Sequence, residues 1–196
     1  MKKPDLLGAL KPVIDAFDRL AIPYYIGGSI ASSAYGIPRA TMDADLIAHL
    51  TVAQVSGLVT LLQDQYYVAE AAITNAIGSA SSFNLIHLET MVKIDVFVPK
   101  KDAYQQIALA RRVTDRLVDD DPDSMVSLAS PEDVILSKLQ WYQMGQGVSD
   151  RQWLDILGVI KVQGDSLDAE YLRVWAETLG VHDLWQRACS ESGLKP

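Results

Sequence analysis

Two aspartates one residue apart, Asp43 and Asp45, sit in the apolar stretch MDADLIAHL, and a third, Asp95, sits in MVKIDVFVP. On a strand successive side chains alternate faces, so Asp43 and Asp45 project from the same face a few ångströms apart. Aspartate is a poor strand former, yet Asp95 is flanked by Ile94 and Val96. Crowded carboxylates repel, and one of them would ordinarily take up a proton. A divalent cation removes that cost. Mg²⁺ takes oxygen ligands and keeps positions open for water and phosphate oxygens. Three acids on one sheet face can hold two such ions, and two ions can clamp the attacking and leaving oxygens of an in-line phosphoryl displacement. The plainer account, a strand-end pair and a surface Asp95, leaves the mid-strand position of Asp95 unexplained.

Gly27, Gly28 and Ser29 add a second element of that chemistry. Glycines between a strand and a helix let a phosphate approach the backbone. A helix beginning near Ser29, with Ser29 as its N-cap, turns free N–H groups and the positive end of its dipole toward an anion. The interval from there to Asp43 holds one short helix and a return to the sheet.

The elements that must position these residues follow from hydrophobic spacing. Leu6, Leu7, Leu10, Val13, Ile14, Phe17 and Leu20 mark an amphipathic helix over 4–20. IPYYIGG reads as a strand, SIASSAYG as a short helix stopped at Gly36, and MDADLIAHL as a strand. A helix opens at Thr51 and Gln54 in capping-box spacing. Residues 70–78 are weakly helical, SFNLIHLET and MVKIDVFVP form two strands, 102–112 is helical, and SMVSLAS (124–130) is one more strand. Ser130-Pro131-Glu132-Asp133 is then a strong helix start. Only helices follow, over 131–144, 150–162, 167–179 and 181–192. The expected fold is α+β: a mixed α/β-type sheet with flanking helices in residues 1–128, then a helical C-terminal bundle in residues 129–196.

Composition narrows the function classes. The 196 residues are 49% hydrophobic and 21% charged, which is globular. No apolar run approaches the roughly 20 residues of a bilayer span, and the first residues lack the apolar core of a signal peptide. The expected location is the cytoplasm, with no membrane partner. Cys189 is the only cysteine and the three histidines are scattered, which excludes an internal disulfide and argues against a zinc site. A formal charge of −8 disfavours sequence-blind nucleic-acid binding. The basic residues between Lys100 and Arg116 read as a solvated surface.

Gly-Gly-Ser, then Arg39-x-Thr41-x-Asp43-x-Asp45, then an isolated Asp95 in an apolar strand, resembles the polymerase-β-like nucleotidyltransferase superfamily. The Arg39/Thr41 context is similar to its small bacterial members, of the abortive-infection or toxin type and the uncharacterised ones. The resemblance implies a nucleotidyltransferase fold. It implies that Asp43, Asp45 and Asp95 bind two Mg²⁺ ions and that Asp95 helps deprotonate the acceptor hydroxyl. It further implies that Gly28 and Ser29 hold the β and γ phosphates of an NTP substrate, with Gly27 shaping the turn. The helical stretch after Ser130 resembles the same relatives, which place a lysine and a late aspartate near the nucleotide. Here these are Lys138 and either Asp150 or Asp155, the latter the better match. Lys138 is either a cation facing the triphosphate or a lysine snorkelling from a packed helix. Asp155 is otherwise an i−4 partner of Arg151, and Asp150 a first-turn acid. The tryptophans and tyrosines of this half read as helix packing.

The implied activity is transfer of an NMP from an NTP to an acceptor hydroxyl with release of pyrophosphate. The acceptor is a small molecule, a tRNA end or a protein, and the relatives imply a toxin with an antitoxin partner. The alternative is a protein that retains the fold and binds nucleotide or a partner without catalysis. There is no Gly-Lys-Ser/Thr phosphate loop, no Gly-x-Gly-x-x-Gly and no nucleophile elbow.

Overall fold

A computed structural model of the chain describes residues 6–116 and 125–194. Residues 4 and 5 of the expected first helix and Ser124 of the expected last strand lie outside the described residues. In chain order the first elements are α1 (Leu6–Arg19), β1 (Tyr24–Ile26), α2 (Gly28–Tyr35), β2 (Asp43–Ala48), α3 (Val52–Leu62) and β3 (Tyr66–Tyr67). Next come α4 (Glu70–Ser79), β4 (Ser82–His87), β5 (Lys93–Phe97), α5 (Ala103–Arg111), β6 (Val113–Arg116) and β7 (Met125–Leu128). The rest is helical: α6 (Pro131–Met144), α7 (Asp150–Gln163), α8 (Ala169–Thr178) and α9 (His182–Ser192), with a 3₁₀ turn at Gly164–Ser166. This is the expected α+β arrangement, a mixed sheet with flanking helices and helices alone at the end.

The chain divides into two compact units, Met1–Gly27 with Thr41–Leu128 and Gly28–Ala40 with Ala129–Pro196. The first holds a seven-stranded sheet in the order β3-β4-β5-β2-β1-β7-β6. β2 runs parallel to β5, and β1 parallel to β7; the remaining neighbours are antiparallel. Alternation decides the two faces. Ala44, Leu46, Ala48, Phe83, Leu85, Ile94 and Val96 are buried on one face. α1 packs against β2 and α3, and α4 against α3 and β4. Leu10, Val13, Phe17, Leu58 and Ile73 complete that core. Each such side chain stabilises by about 1.5–3 kcal/mol when fully buried.

Two strands differ from the sequence reading. β3 is only Tyr66–Tyr67, too short for any alternation to register. β6 is exposed at all four residues of VTDR. It is held by backbone pairing to β7 rather than by an apolar face.

The second unit is α2 with α6 to α9. Ser130 caps α6 by accepting from the Asp133 N–H, and Pro131 fills its first position. α2 packs on α6 and α7. The approach is close enough to require glycine. A Cβ on Gly36 would lie 2.8 Å from the Ser32 carbonyl and 2.9 Å from the Val159 nitrogen of α7. Gln163 at the end of α7 donates to the Tyr35 carbonyl at 2.8 Å, satisfying an orphan acceptor of α2.

Candidate functional site

The three aspartates share a sheet face because of register. Asp43 and Asp45 are two residues apart on β2, and Asp45 lies directly opposite Asp95 on the parallel strand β5. The burial pattern of β2 alternates, with Asp43 exposed, Asp45 half-buried, and Ala44 between them buried. β5 repeats it, with Asp95 half-buried between buried Ile94 and Val96. Lys93 is on the same face, opposite Asp43 in register. Its Nζ donates to Asp95 Oδ2 at 2.8 Å. The bond to Asp95, helped by the charges of Asp95, Asp43 and Asp45, holds the lysine above its ordinary pKa against desolvation. Asn84 of β4 pairs with Asp95 from the other side and is exposed.

These oxygen donors, on adjacent strands and one face, are of the kind a hard divalent cation takes. As they stand, no three Asp, Glu, His or Cys side chains among the described residues form a group that could hold a metal ion. Asp95 is turned to Lys93 instead.

Gly27 and Thr41 prepare β2 in the same unit. The Gly27 N–H donates to the Asp45 carbonyl at 2.9 Å, continuing the β1–β2 ladder one residue past the strand. A Cβ on Gly27 would lie 2.9 Å from Ile47 Cδ1. Thr41 Oγ1 donates to the Asp43 carbonyl at 3.2 Å, and the Asp43 N–H points back to the same hydroxyl at 3.4 Å. Thr41 therefore shapes the chain where β2 begins.

In the second unit, Gly28 has φ +55°, a left-handed conformation that suits glycine. Helix α2 begins at Gly28 itself, so Ser29 lies inside the first turn and is not the N-cap the sequence predicts. Its hydroxyl serves another partner. Arg39 Nη2 donates to Ser29 Oγ at 2.5 Å and to Asp155 Oδ2 at 2.8 Å, while Arg39 Nε donates to Asp155 Oδ1 at 2.9 Å. Lys138 Nζ donates to Asp155 Oδ2 at 2.8 Å. The Lys138 and Asp155 side chains are only 9% and 8% exposed, so this lysine does not snorkel to solvent.

Burial pushes the Asp155 carboxyl upward, but the hydrogen bonds and charges of Arg39 and Lys138 prevail and hold it below the ordinary carboxylate value. The bond to Asp155 in turn raises Arg39, again against burial. Arg39 Nη1 is buried and has no hydrogen-bond partner among the described residues. Two cations thus face one carboxylate, with one donor of Arg39 unused.

Asp150 is the first residue of α7 and lies outside this cluster; Asp155 is inside it. Buried Glu132 and Asp133 are structural. Glu132 accepts from the Asp168 N–H that opens α8, and Asp133 accepts from Tyr171 and Ser130. Trp153 packs on Tyr142, lies under Arg187 and donates to Glu191, as expected of helix packing. Sequence reasoning passed over Lys93, although its two-residue offset from Asp95 was the signal that would have found it.

No protein-family model matches the chain, and no curated protein matches it. Solved structures do. The antibiotic-resistance factor ANT(2'')-Ia superposes with a TM-score of 0.59 at 14% identity over 94% of this chain and 96% of that one. Its complex with adenylyl-2''-tobramycin gives 0.59 at 14% identity over 89% of this chain and 96% of that one. An antigenic nucleotidyltransferase-like protein from Paracoccidioides brasiliensis gives 0.53 at 20% identity over 94% of this chain and 92% of that one. The chain has the nucleotidyltransferase fold. Among the described residues no helix is long and apolar enough to cross a membrane.

Proposed function

We propose that the chain is a divalent-metal-dependent nucleotidyltransferase that moves an NMP from an NTP to an acceptor hydroxyl and releases pyrophosphate. The observation that carries this reading is the register setting Asp45 opposite Asp95, with Asp43 two residues along the same face. In this reading Asp43, Asp45 and Asp95 hold Mg²⁺. Bound there, the ion supplies charge neutralisation at phosphate oxygens and a template for in-line displacement. Asp95 is the candidate base for the acceptor proton once the ion frees it from Lys93.

Phosphate binding is assigned to the other set of residues. Gly28 and Ser29 begin α2, whose N-terminus favours an anion. Arg39 and Lys138 both donate to Asp155, which sets two cations on one carboxylate. The unused Nη1 of Arg39 is a buried donor that a phosphate oxygen would satisfy. Asp155 keeps both cations in place, Gly27 shapes the turn, and Thr41 fixes the approach to β2.

A small-molecule hydroxyl is the acceptor we favour. The fold is shared with a protein solved with adenylyl-2''-tobramycin, and the net charge of −8 disfavours a nucleic-acid backbone. A second reading, a cytoplasmic toxin with an antitoxin partner and a tRNA end or protein as acceptor, rests on the Arg39-x-Thr41-x-Asp43-x-Asp45 sequence.

Calorimetric titration with non-hydrolysable NTPs in Mg²⁺ tests the assignment. Metal-dependent binding by the wild type, lost in Asp43→Ala/Asp45→Ala, is the expected result. If none of the four NTPs binds, catalysis is abandoned in favour of a partner-binding protein that keeps the fold.

A further inference from the structure

Lys93 stands among three carboxylates that the proposed function gives to metal. It faces Asp43 across the β2–β5 pair and precedes Asp95 by two residues on the same face. Its Nζ is 2.8 Å from Oδ2 of Asp95, a carboxylate the proposed function assigns to metal. The lysine side chain is 45% exposed and that of Asp95 18%, so the ammonium reaches the acids from the solvent side. An ion pair this open is worth only about 0.2–1 kcal/mol. It is therefore weak enough for a dication to displace. The residue type fits the same role. A lysine is a compact charge on a flexible stem, whereas an arginine would grip the carboxylate with a planar fork.

We propose that Lys93 is the resident cation of this face, a positioning residue that holds Asp95 in the metal-free protein and that an incoming divalent ion must displace. The inference rests on the metal-dependent reading given above. While no metal is bound, the ammonium offsets the mutual repulsion of the carboxylates. A divalent ion binding this face would compete with the ammonium for the Asp95 carboxylate. Lys93 thereby raises the metal concentration at which the face loads.

The test is Mn²⁺ titration of the full chain without nucleotide, reading free Mn²⁺ by electron paramagnetic resonance. Wild type, Lys93→Met, Lys93→Arg and Asp45→Ala are compared. Lys93→Met is expected to tighten Mn²⁺ binding about threefold to fivefold, the size of an exposed ion pair. Lys93→Arg is expected to bind no tighter than wild type. Melting in EDTA checks that Lys93→Met is folded, as its exposure predicts. If the wild type binds Mn²⁺ in a way that Asp45→Ala abolishes, and Lys93→Met binds with the same or lower affinity, the role of Lys93 is overturned and the metal reading stands. If neither the wild type nor Lys93→Met binds Mn²⁺, both fall together.

Discussion

The carboxylates of β2 and β5 stand where strand register puts them, half open to solvent, with Lys93 reaching in beside Asp95. Arg39, Lys138 and Asp155 come instead from a loop and two helices of the other unit, and their charged ends are mostly buried. The first group has excess negative charge and the second excess positive charge. Their energetics differ as well. Crowded acids on an open face cost stability, so a structural role does not account for them. A buried carboxylate bonded by two cations is strongly needed by those cations. Loss of a residue should therefore register as lost chemistry in one region and as lost stability in the other.

The largest effect is expected from Asp45→Ala. Transfer from an α-labelled NTP should fall at least about a thousandfold, roughly 4 kcal/mol in the barrier. Its melting temperature should equal or slightly exceed that of the wild type, because one of three like charges is gone. A parallel loss of stability would erase the contrast.

Asp155→Ala should do the reverse, lowering stability by about 3 kcal/mol because buried Lys138 and half-buried Arg39 lose the carboxylate they share. Acid should reproduce part of this. The folded-state pKa of Asp155 is depressed from 3.8. Its contribution is therefore complete above that value and is lost as pH falls through the lower, folded one. Denaturant titrations from pH 6 down to about pH 2 should show a steeper loss for the wild type than for Asp155→Asn.

Arg39→Lys sharpens the comparison. It keeps the charge but removes the fork that holds both Asp155 oxygens and Ser29. A loss of about 1–2 kcal/mol, with weakened NTP binding by calorimetry, is expected. Gly27→Ala should be the mildest. The new methyl meets only Ile47 Cδ1, the far end of a flexible side chain. A cost of about 1 kcal/mol in melting experiments is expected.

The two regions also differ in how far the sequence foretold them. Aspartates at alternate positions of an apolar strand, and one between Ile94 and Val96, announce their own face, because strand period is a local property. The Ser130 cap and the helices after it were legible for the same reason. β6 was not, since VTDR has no buried face and is held by pairing alone. Nor was the placement of Gly28–Ala40 with helices that begin beyond Ala129. That association depends on Gly36 meeting the backbone of α7, a contact no local pattern encodes. Likewise the spacing around Lys138 did not separate a snorkelling lysine from a paired one. Only Asp155, brought in by the fold, decides it.

The 116-residue separation of Arg39 and Asp155 has a consequence in time. At about 5–20 residues per second of synthesis, Arg39 leaves the ribosome on the order of ten seconds before its counter-charge exists. Through that interval the guanidinium must stay hydrated. The nascent chain carries the acidic strands well before the cationic cluster can close, so any binding that needs the cluster awaits translation past α7.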